Sequence, residues 1–406
     1  FVSASDYVRE QGGNPAETMM FYGQEKVDYN AKLCLMNMAV HGMQGNIKSG
    51  DDANTFYNDA HALDGKCDFV AANPPFNVDK VKHAKALDAG RLPLGAPKAN
   101  KKEEVSASGA NYLWINYFYS YLKDTGRAGF VMASSATDSN SERAQRRKLV
   151  ETGYVGNNFF YTKSLPCTLW FFDKGKPEEL LDKVLFIDAQ RYHTAVSTTL
   201  NEWTPWQLKN LSAIVWLYRG EAGKYHDLIE AYKDRATEVA PLFGSDAAEK
   251  LLGIGGVEDF AIAHEAMHTA IEEQKAAAKV EIEALPKREQ KKRREALAEV
   301  TARMESAATE IGEAVWLAEK FGEGEYADVP GLCKVATRTE IQGDQPAEKS
   351  SWSLTPGAYV GVPPVEDDGV DFHERMAEIH AELLELQRQS NDLMAVIDRN
   401  FQELGL

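Results

Sequence analysis

The sequence has few cysteines and no long apolar run, and each absence narrows the classes of protein it can belong to. Its four cysteines, Cys34, Cys67, Cys167 and Cys333, are widely spaced and form no CxxC pair. This spacing favours free thiols in a reducing cytoplasm over a disulfide framework or a zinc knuckle. No run of 18 apolar residues is present, and the first residues carry no basic segment before an apolar one. We therefore expect a cytoplasmic protein with no membrane span and no signal peptide.

Positive charge is also scarce, since 45 Lys and Arg face 62 Asp and Glu for a formal net charge of −17. A diffuse negative field repels nucleic acid, which argues against a protein that grips phosphates over its whole surface. If DNA is a partner, a local basic patch or another subunit must supply the contact. The sequence has one conspicuous basic cluster: Lys287, Arg288, Lys291, Lys292, Arg293 and Arg294. Its two interpretations are a solvated helix face and a surface that contacts DNA phosphates.

Apolar strand-like runs alternate with amphipathic stretches from residue 17 to 190, which is typical of a doubly wound α/β sheet. Helices are predicted over residues 30–43 and 112–122. Residues 79–110 are rich in Lys, Ala, Gly and Pro, and they are predicted to form a mobile loop. That loop is either a lid over a substrate or a solvated surface segment. Strands are predicted over residues 18–24, 46–49, 67–72, 128–133, 169–172 and 184–187, the third of them as a buried strand.

The composition changes after about residue 205, where Ala, Glu, Lys and Arg come to dominate. Long helices are predicted over residues 258–322, as a hairpin broken near Pro286. A final helix over residues 372–404 carries an apolar stripe that needs a partner helix: Met376, Ile379, Leu383, Leu386, Leu393 and Ile397. The sequence therefore predicts that the chain divides into four regions. They are an α/β domain over 1–205, a mostly helical region over 206–330, an extended segment over 331–371 that returns to the first domain, and a docking helix over 372–406.

Three polar residues stand at the carboxyl ends of predicted strands, where open α/β sheets bind ligands. They are Glu25, Asp51 and Asn73. One carboxylate at such a strand end can accept hydrogen bonds from two ribose hydroxyls, and the next can meet an adenine amine. Each acidic residue alone is a weak signal, because Asp and Glu are common at the start of loops. Together with Asn73 they predict a nucleotide-binding edge.

The turn Asn73-Pro74-Pro75-Phe76 is the most specific local feature. Two prolines fix the backbone as it leaves the strand and remove two N–H donors. The Asn73 side-chain oxygen and the Pro74 carbonyl can then both accept from one exocyclic amino group, which leaves the nitrogen lone pair free to face an electrophile. Phe76 can stack on the base that carries this amine, and a base reaches such a pocket only after it leaves the duplex. The alternative is a plain turn headed by an asparagine.

At this point the sequence resembles the modification (methyltransferase) subunits of type I restriction–modification systems. The matching segments are Tyr22-Gly23-Gln24-Glu25, Gly50-Asp51, the stretch from Asp68 to Asn77, Tyr112-Leu113-Trp114-Ile115, Gly126-Arg127-Ala128-Gly129, Leu165-Pro166-Cys167, Pro330-Gly331-Leu332-Cys333, and the stretch from Ser353 to Val360. The resemblance extends over nearly the whole chain except residues 225–325. Other methyltransferases of exocyclic or amide nitrogens share the Asn-Pro-Pro-Phe turn, but the combined set is specific to this family.

The resemblance implies a Rossmann-like class I methyltransferase sheet with a helical insertion and a C-terminal helical tail. It implies methyl transfer from S-adenosylmethionine to adenine N6 in double-stranded DNA. Asn73, Pro74, Pro75 and Phe76 would hold the flipped adenine, with Phe160 as a second aromatic against it. Glu25 would bind the cofactor ribose and Asp51 the cofactor adenine. The implied partners are DNA, a specificity subunit that reads the sequence, a second modification subunit and a restriction subunit. We predict that the C-terminal amphipathic helix, together with parts of the helical region, docks the specificity subunit.

The sequence departs from the family in two places. The family's upstream helical domain and its strand with a glycine-rich loop for the methionine part of the cofactor have no match here, and Phe1-Val2 resembles the residues just after that loop. We therefore expect a fragment. In addition, Tyr154-Val155 is followed directly by Gly156-Asn157-Asn158, where the family has a longer strand.

Two other interpretations of function remain open at this stage. One is a methyltransferase that acts on RNA or on protein glutamine, and the other is a non-catalytic scaffold. A separate motif, His264-Glu265-Ala266-Met267-His268, fits the HExxH pattern of zinc proteases. No further histidine lies nearby downstream, so the expected interpretation is a helix-packing or exposed pair, without a metal.

Overall fold

The computed structural model describes residues 1–161, 167–197, 201–363 and 372–403. Residues 1–362 form one compact unit and residues 363–406 another. In the described parts of the chain, no helix combines the length and the apolarity that a membrane crossing requires. The strands are β1 Phe21–Glu25, β2 Gly45–Ser49, β3 Cys67–Ala72, β4 Leu122–Ala133, β5 Val155–Tyr161, β6 Cys167–Asp173, β7 Lys183–Asp188, β8 Thr194–Ala195, β9 Asn201–Glu202 and β10 Cys333–Thr337.

Helices lie between and after these strands. They are α1 Val2–Glu10, α2 Pro15–Thr18, α3 Asp28–Val40, α4 His83–Asp88, α5 Ala107–Tyr121, α6 Arg143–Glu151, α7 Pro205–Tyr218, α8 Ala222–Val239, α9 Ser245–Leu252, α10 Asp259–Ala284, α11 Lys287–Phe321, α12 Arg338–Gln342 and α13 Phe372–Glu403. The predicted hairpin is confirmed, because α10 and α11 flank Leu285 and Pro286. The predicted C-terminal helix is confirmed as α13.

The main sheet has six strands in the order β10-β7-β5-β6-β4-β3. The pairs β3–β4 and β5–β7 are parallel, while β4–β6, β5–β6 and β7–β10 are antiparallel. The strands β1 and β2 pair in parallel with each other as a separate two-stranded sheet. Around residues 154–158, β5 is paired through a register shift between Val155 and Asn157.

Helices cover both faces of the main sheet. Successive side chains of β7 point to opposite faces and therefore belong to two different cores. Val184 and Phe186 belong to a core shared with α5 and α6. Leu185 and Ile187 belong to a second core shared with α7, α8, α10 and α11. The sheet is therefore doubly wound, and the fold class predicted from the sequence is confirmed as α/β with a helical insertion packed on one face.

Three local predictions are wrong in detail. The first strand starts at Phe21 rather than at residue 18, because Pro15–Thr18 form a helical turn in which the Asn14 side chain accepts from the Ala16 amide at 3.1 Å. The strand β3 is not buried: it is the last strand of its sheet, and the Phe69 side chain is 75% exposed.

The third correction concerns residues 79–110, predicted as a mobile loop. They contain α4 and the start of α5, which Ser106 caps by accepting from the Gly109 amide at 3.0 Å. The segment is anchored by buried apolar side chains, among them Val81, Ala86, Leu94 and Val105. Low periodicity misled the prediction, because the anchors are isolated residues rather than one face of an element.

Candidate active site

The turn at residues 73–76 lies where β3 ends, as the sequence predicts. Asn73 and Pro75 are exposed, Pro74 is buried and Phe76 is half-buried against the core beside α5. Among the described residues, neither the Asn73 side chain nor the Pro74 carbonyl has a hydrogen-bond partner. Neither oxygen is therefore engaged by another described residue.

Two residues of α5 hold this turn in place. The Trp114 indole Nε1 donates to the Pro75 carbonyl at 3.2 Å. The fully buried Asn111 makes two bonds with Asn77, the first residue after the turn: the Asn77 amide donates to Asn111 Oδ1 at 2.9 Å, and Asn111 Nδ2 donates to Asn77 Oδ1 at 2.9 Å. Asn77 has a φ of 53°, a left-handed conformation that asparagine tolerates better than most residues. Helix α5 thus fixes the backbone at the point where the chain leaves the turn.

Glu25 and Asp51 lie together at the carboxyl ends of β1 and β2. The parallel register places Glu25 beside Ser49, two residues before Asp51. Glu25 is half-buried, and its Oε1 accepts from the Val27 amide at 2.8 Å, which leaves its other oxygen without a partner among the described residues. Asp51 is exposed and follows Gly50, whose φ of 92° allows the sharp turn at the end of β2.

A chain of contacts connects these acidic ends to the turn, even though β1 and β3 belong to different sheets. Gln24 lies beside Glu25 and binds the segment 53–60: its Nε2 lies 3.3 Å from the Ala53 carbonyl, and its Oε1 accepts from the Ala60 amide at 2.9 Å. Within that segment, the Phe56 ring packs on Trp114 at 4.3 Å between centroids. Because Trp114 also binds the Pro75 carbonyl, the acidic ends and the turn belong to one continuous structure.

Arg91 strengthens this connection from the other side. Its guanidinium donates to the Thr55 carbonyl at 2.9 Å and to the Tyr121 hydroxyl at 3.0 Å, and it lies 4.3 Å from the Tyr117 ring centroid. Burial raises the pKa of Tyr121 to about 12, so its hydroxyl stays protonated at neutral pH. The segment between β2 and β3 is thereby fixed to α5.

The remaining predicted site residues lie elsewhere. Phe160 is in β5, where its backbone pairs with Thr168 and Asp188, and its side chain lies outside the described part of the structure. The basic cluster at residues 287–294 is exposed at the start of α11, at the closed end of the hairpin.

The HExxH motif forms a packed pair on α10. His264 and His268 have their Nε2 atoms 3.1 Å apart, and burial together with His268 lowers the pKa of His264. Among the described residues, no three His, Cys, Asp or Glu side chains converge on a point where a metal ion could sit.

Sequence reasoning missed Gln24, Arg91 and Asn111 as site residues. The signal for Asn111 was present, since Asn111 and Asn116 are amides within an otherwise apolar and aromatic stretch of α5, and buried amides must find partners. No comparable signal marks Gln24, because its partners come from a loop without periodicity.

The doubly wound sheet, the acidic strand ends and the Asn-Pro-Pro-Phe turn together form the arrangement expected of a Rossmann-like methyltransferase fold. The model of the N-6 DNA Methylase family matches residues 1–233, and the chain belongs to this family.

Several relatives are similar to this chain. The methylase subunit of the type I restriction enzyme MjaIX from Methanocaldococcus jannaschii is 34% identical over 222 residues, which is 52% of this chain and 38% of the relative. The methylase subunit of the enzyme HindI from Haemophilus influenzae is 24% identical over 414 residues, covering 100% of this chain and 66% of the relative. A solved methyltransferase subunit of a type I restriction–modification system from Streptococcus thermophilus matches 53% of this chain and 44% of its own, with 22% identity and a TM-score of 0.45. The chain thus spans between a third and two thirds of these curated relatives.

Proposed function

We propose that this chain transfers the methyl group of S-adenosylmethionine to adenine N6 in double-stranded DNA, as the modification subunit of a type I restriction–modification complex. The observation that carries the proposal is the turn at residues 73–76, where two unengaged oxygens, of Asn73 and Pro74, stand at one strand end. The names of the curated relatives, type I methylase subunits, support the same assignment.

In this proposal the chain's own residues align the amine and polarise it. Asn73 Oδ1 and the Pro74 carbonyl accept from the two protons of the adenine amine, and Phe76 stacks on the extruded base. No strong base is required: the neutral amine would form the N–CH3 bond as the S–CH3 bond of the donor breaks to leave a neutral thioether, and the resulting ammonium would lose its proton to water. Catalysis is then chiefly alignment and electrostatic preorganisation. Phe160 stays a predicted second contact to the base.

The donor set at the ends of β1 and β2 fits the nucleoside part of the cofactor. The free oxygen of Glu25 suits the ribose hydroxyls, and the exposed Asp51 suits the adenine amine. When bound, S-adenosylmethionine would supply an electrophilic methyl group on a sulfonium. The chain's part is to hold this nucleoside close to the turn, through the Gln24–Phe56–Trp114 contacts described above.

Asn73→Ala tests the assignment in the assembled enzyme with its specificity subunit. We expect the methylation rate of duplex DNA to fall by at least about 100-fold, since one of two preorganised acceptors is lost. Cofactor affinity should stay within about twofold of the wild type, because Glu25 and Asp51 are unchanged. Exposed Asn58, changed to Ala in the same way, is the control for handling and folding. A fully active Asn73 variant contradicts the mechanism.

The substrate class is tested with labelled cofactor and separate pools of DNA, RNA and protein. Label in duplex DNA, on adenine N6, supports the proposal. Label in RNA or on protein glutamine supports the alternative N-methyltransferase, and a full-length protein that does not bind the cofactor supports a scaffold role.

The hairpin tip is a proposed contact to DNA phosphates. Six basic residues occupy the first eight positions of α11, although cations are disfavoured at a helix N-terminus, so helix stability alone does not account for them. Changing Lys287, Arg288, Lys291 and Lys292 to Gln should weaken duplex binding and flatten its salt dependence. Binding with an unchanged salt dependence would leave the tip as a solvated helix face.

A further inference from the structure

A second basic region lies immediately after the turn, and its composition departs from that of the protein. Between residues 80 and 102 there are seven Lys or Arg and a single acidic residue, Asp88, in a chain whose net charge is −17. We name residues 80–102 the basic segment. Its lysines Lys80, Lys98, Lys101 and Lys102 are exposed and, within the described structure, form no ion pair. Four unpaired cations are thus concentrated beside the candidate active site.

The basic segment is anchored to α5 and α6 by hydrogen bonds. The Leu94 amide donates to the buried Asn116 Oδ1 of α5 at 2.9 Å, and Gln145 of α6 donates to the Ala96 carbonyl at 2.9 Å. At its end, Asn100 Oδ1 accepts from the amides of Lys102 at 2.8 Å and Glu104 at 3.0 Å, which forms a compact turn. The lysines therefore project from a preorganised surface rather than from a free loop.

Two contacts join that compact turn to the chain that follows the active-site turn. Lys82 pairs with Glu104 at 2.9 Å, and the His83 amide donates to the Glu103 carbonyl at 3.1 Å. Lys82 is five residues after Asn77, the first residue after the active-site turn. Lys101 and Lys102 consequently neighbour the segment that leaves this turn.

The backbone here is also unusually strained. Six non-glycine residues of the described chain have positive φ, and four of them lie between residues 77 and 103, in or beside the basic segment: Asn77 at 53°, Lys80 at 64°, Arg91 at 54° and Glu103 at 58°. A left-handed φ is unfavourable for residues with a Cβ, and such residues cluster where a functional geometry is imposed. The fold therefore maintains the basic segment in an unfavourable backbone conformation.

We propose that Lys98, Lys101 and Lys102 bind the DNA backbone that flanks the target base. The inference rests on the proposed function, in which an adenine leaves the duplex and enters the site at Asn73. Flanking phosphates must then lie near the turn, where they meet these lysines. Lysine acts as a point charge without directional demands, which suits binding at any sequence. An acidic protein surface is the competing occupant.

The test compares two variants that lose the same charge. One changes Lys98, Lys101 and Lys102 to Gln, and the control changes the exposed Lys209, Lys224 and Lys250 to Gln in the helical region. Both are assembled with the specificity subunit, and their affinity for a 30-bp duplex is measured at NaCl concentrations from about 50 to 300 mM. Methylation is measured on the same samples with saturating DNA.

We expect the slope of log affinity against log salt to shrink by about 2 to 3 in the first variant, at roughly 0.9 per lost phosphate contact, and to change little in the control. The maximal methylation rate should stay within about twofold of the wild type, because the turn is untouched. An equal slope in both variants overturns the inference. Loss of the specificity subunit from the first variant, with the slope unchanged, overturns it in favour of an acidic protein.

The two proposals fail separately. If the wild-type assembly methylates no DNA, the proposed function fails, while the slopes still report whether these lysines contact phosphates. If methylation persists and the slopes agree, only the role of the basic segment is refuted.

Discussion

At the scale of single residues, the site depends on side chains that never touch a ligand. Asn111 is the clearest case: it is fully buried and satisfies both the amide and the side chain of Asn77. These two bonds decide where the active-site turn ends, and through it the direction of the Asn73 and Pro74 oxygens. We regard Asn111 as a positioning residue.

Asn111→Ala should therefore slow methylation more than it destabilises the protein. We expect the maximal rate to fall by about 10- to 100-fold, a loss of roughly 1–3 kcal/mol in transition-state stabilisation, with little change in cofactor affinity. The control is Asn116→Ala, because Asn116 is equally buried on the same helix but bonds to Leu94 and Gly95 instead. Equal rate losses in the two variants would indicate a general effect on α5 rather than positioning of the turn.

Lys176 makes the free energy of unfolding depend on pH. Its buried Nζ donates to the carbonyls of Gly153 at 3.1 Å and Val155 at 2.7 Å and to that of Lys183. Burial lowers the pKa of Lys176 to about 7, with Asp173 and Asp182 opposing the shift. Between about pH 7 and 10.5 the unfolded chain then binds more protons than the folded one, so this group makes stability rise with pH.

From pH 7 to 9, the contribution of Lys176 to the free energy of unfolding should increase by about 2 kcal/mol. Lys176→Met removes this slope while lowering stability overall, because the buried carbonyls around Nζ lose their hydrogen-bond donor. Urea unfolding at pH 6, 7, 8 and 9 measures the effect, with exposed Lys250→Met as the control. A wild-type curve parallel to that of Lys176→Met would show that the lysine stays charged throughout.

At the scale of elements, a buried arginine joins parts of the chain that are distant in sequence. Arg146 of α6 is completely buried, and its guanidinium donates to the carbonyls of Ser139 at 2.8 Å, Ser351 at 2.7 Å and Trp352 at 2.9 Å. These bonds hold the extended segment after α12 against α6. The segment in turn places Tyr359 on Phe186 of β7, with ring centroids 4.2 Å apart.

Arg146→Lys should destabilise the protein by about 2–4 kcal/mol, because lysine cannot reproduce three divergent bonds from one planar group. The neighbouring Arg147 is the matched control. It is partly exposed and pairs with Glu151 at 2.7 Å and Glu348 at 3.4 Å, so Arg147→Lys should cost no more than about 1 kcal/mol. Denaturant unfolding compares them, and equal losses would argue against the proposed role of Arg146.

Element by element, the sequence was most informative where periodicity was strong. The strand over Cys67–Ala72, the hairpin at Pro286 and the helix from Phe372 were all predictable, because their patterns or breakers are local. The exposure of β3 was not predictable, since it depends on which strand lies at the end of the sheet. The frame of residues 79–105 was missed for the same reason: its anchors pair with α5 and α6 through contacts with no periodic signature.

At the scale of the whole molecule, the C-terminal helix exposes a stripe of apolar side chains. Along α13 the apolar side chains are exposed, among them Met376, Ile379, Leu383, Leu386 and Leu393. A stripe of this kind normally packs against another helix, and a contiguous exposed apolar patch marks an interaction surface. We propose the specificity subunit as that partner.

Leu383→Glu together with Leu386→Glu should abolish co-purification of the specificity subunit, as should deletion of residues 372–406. The control changes the exposed residues Ala377 and Ala381, on the opposite face of the same helix, to Glu, which adds equal charge off the stripe. Retention of the subunit by the stripe variant would place the interface elsewhere, and its loss from both variants would implicate charge alone.

The division of the sheet into two pieces has a consequence for how the isolated chain behaves in solution. Among the described strands, β3 bonds only to β4 and β1 only to β2, so each offers an unpaired row of amides and carbonyls, and β3 adds the solvent-exposed Phe69 ring. Open edges of this kind recruit further strands from neighbouring molecules. On its own the chain should therefore self-associate as its concentration rises.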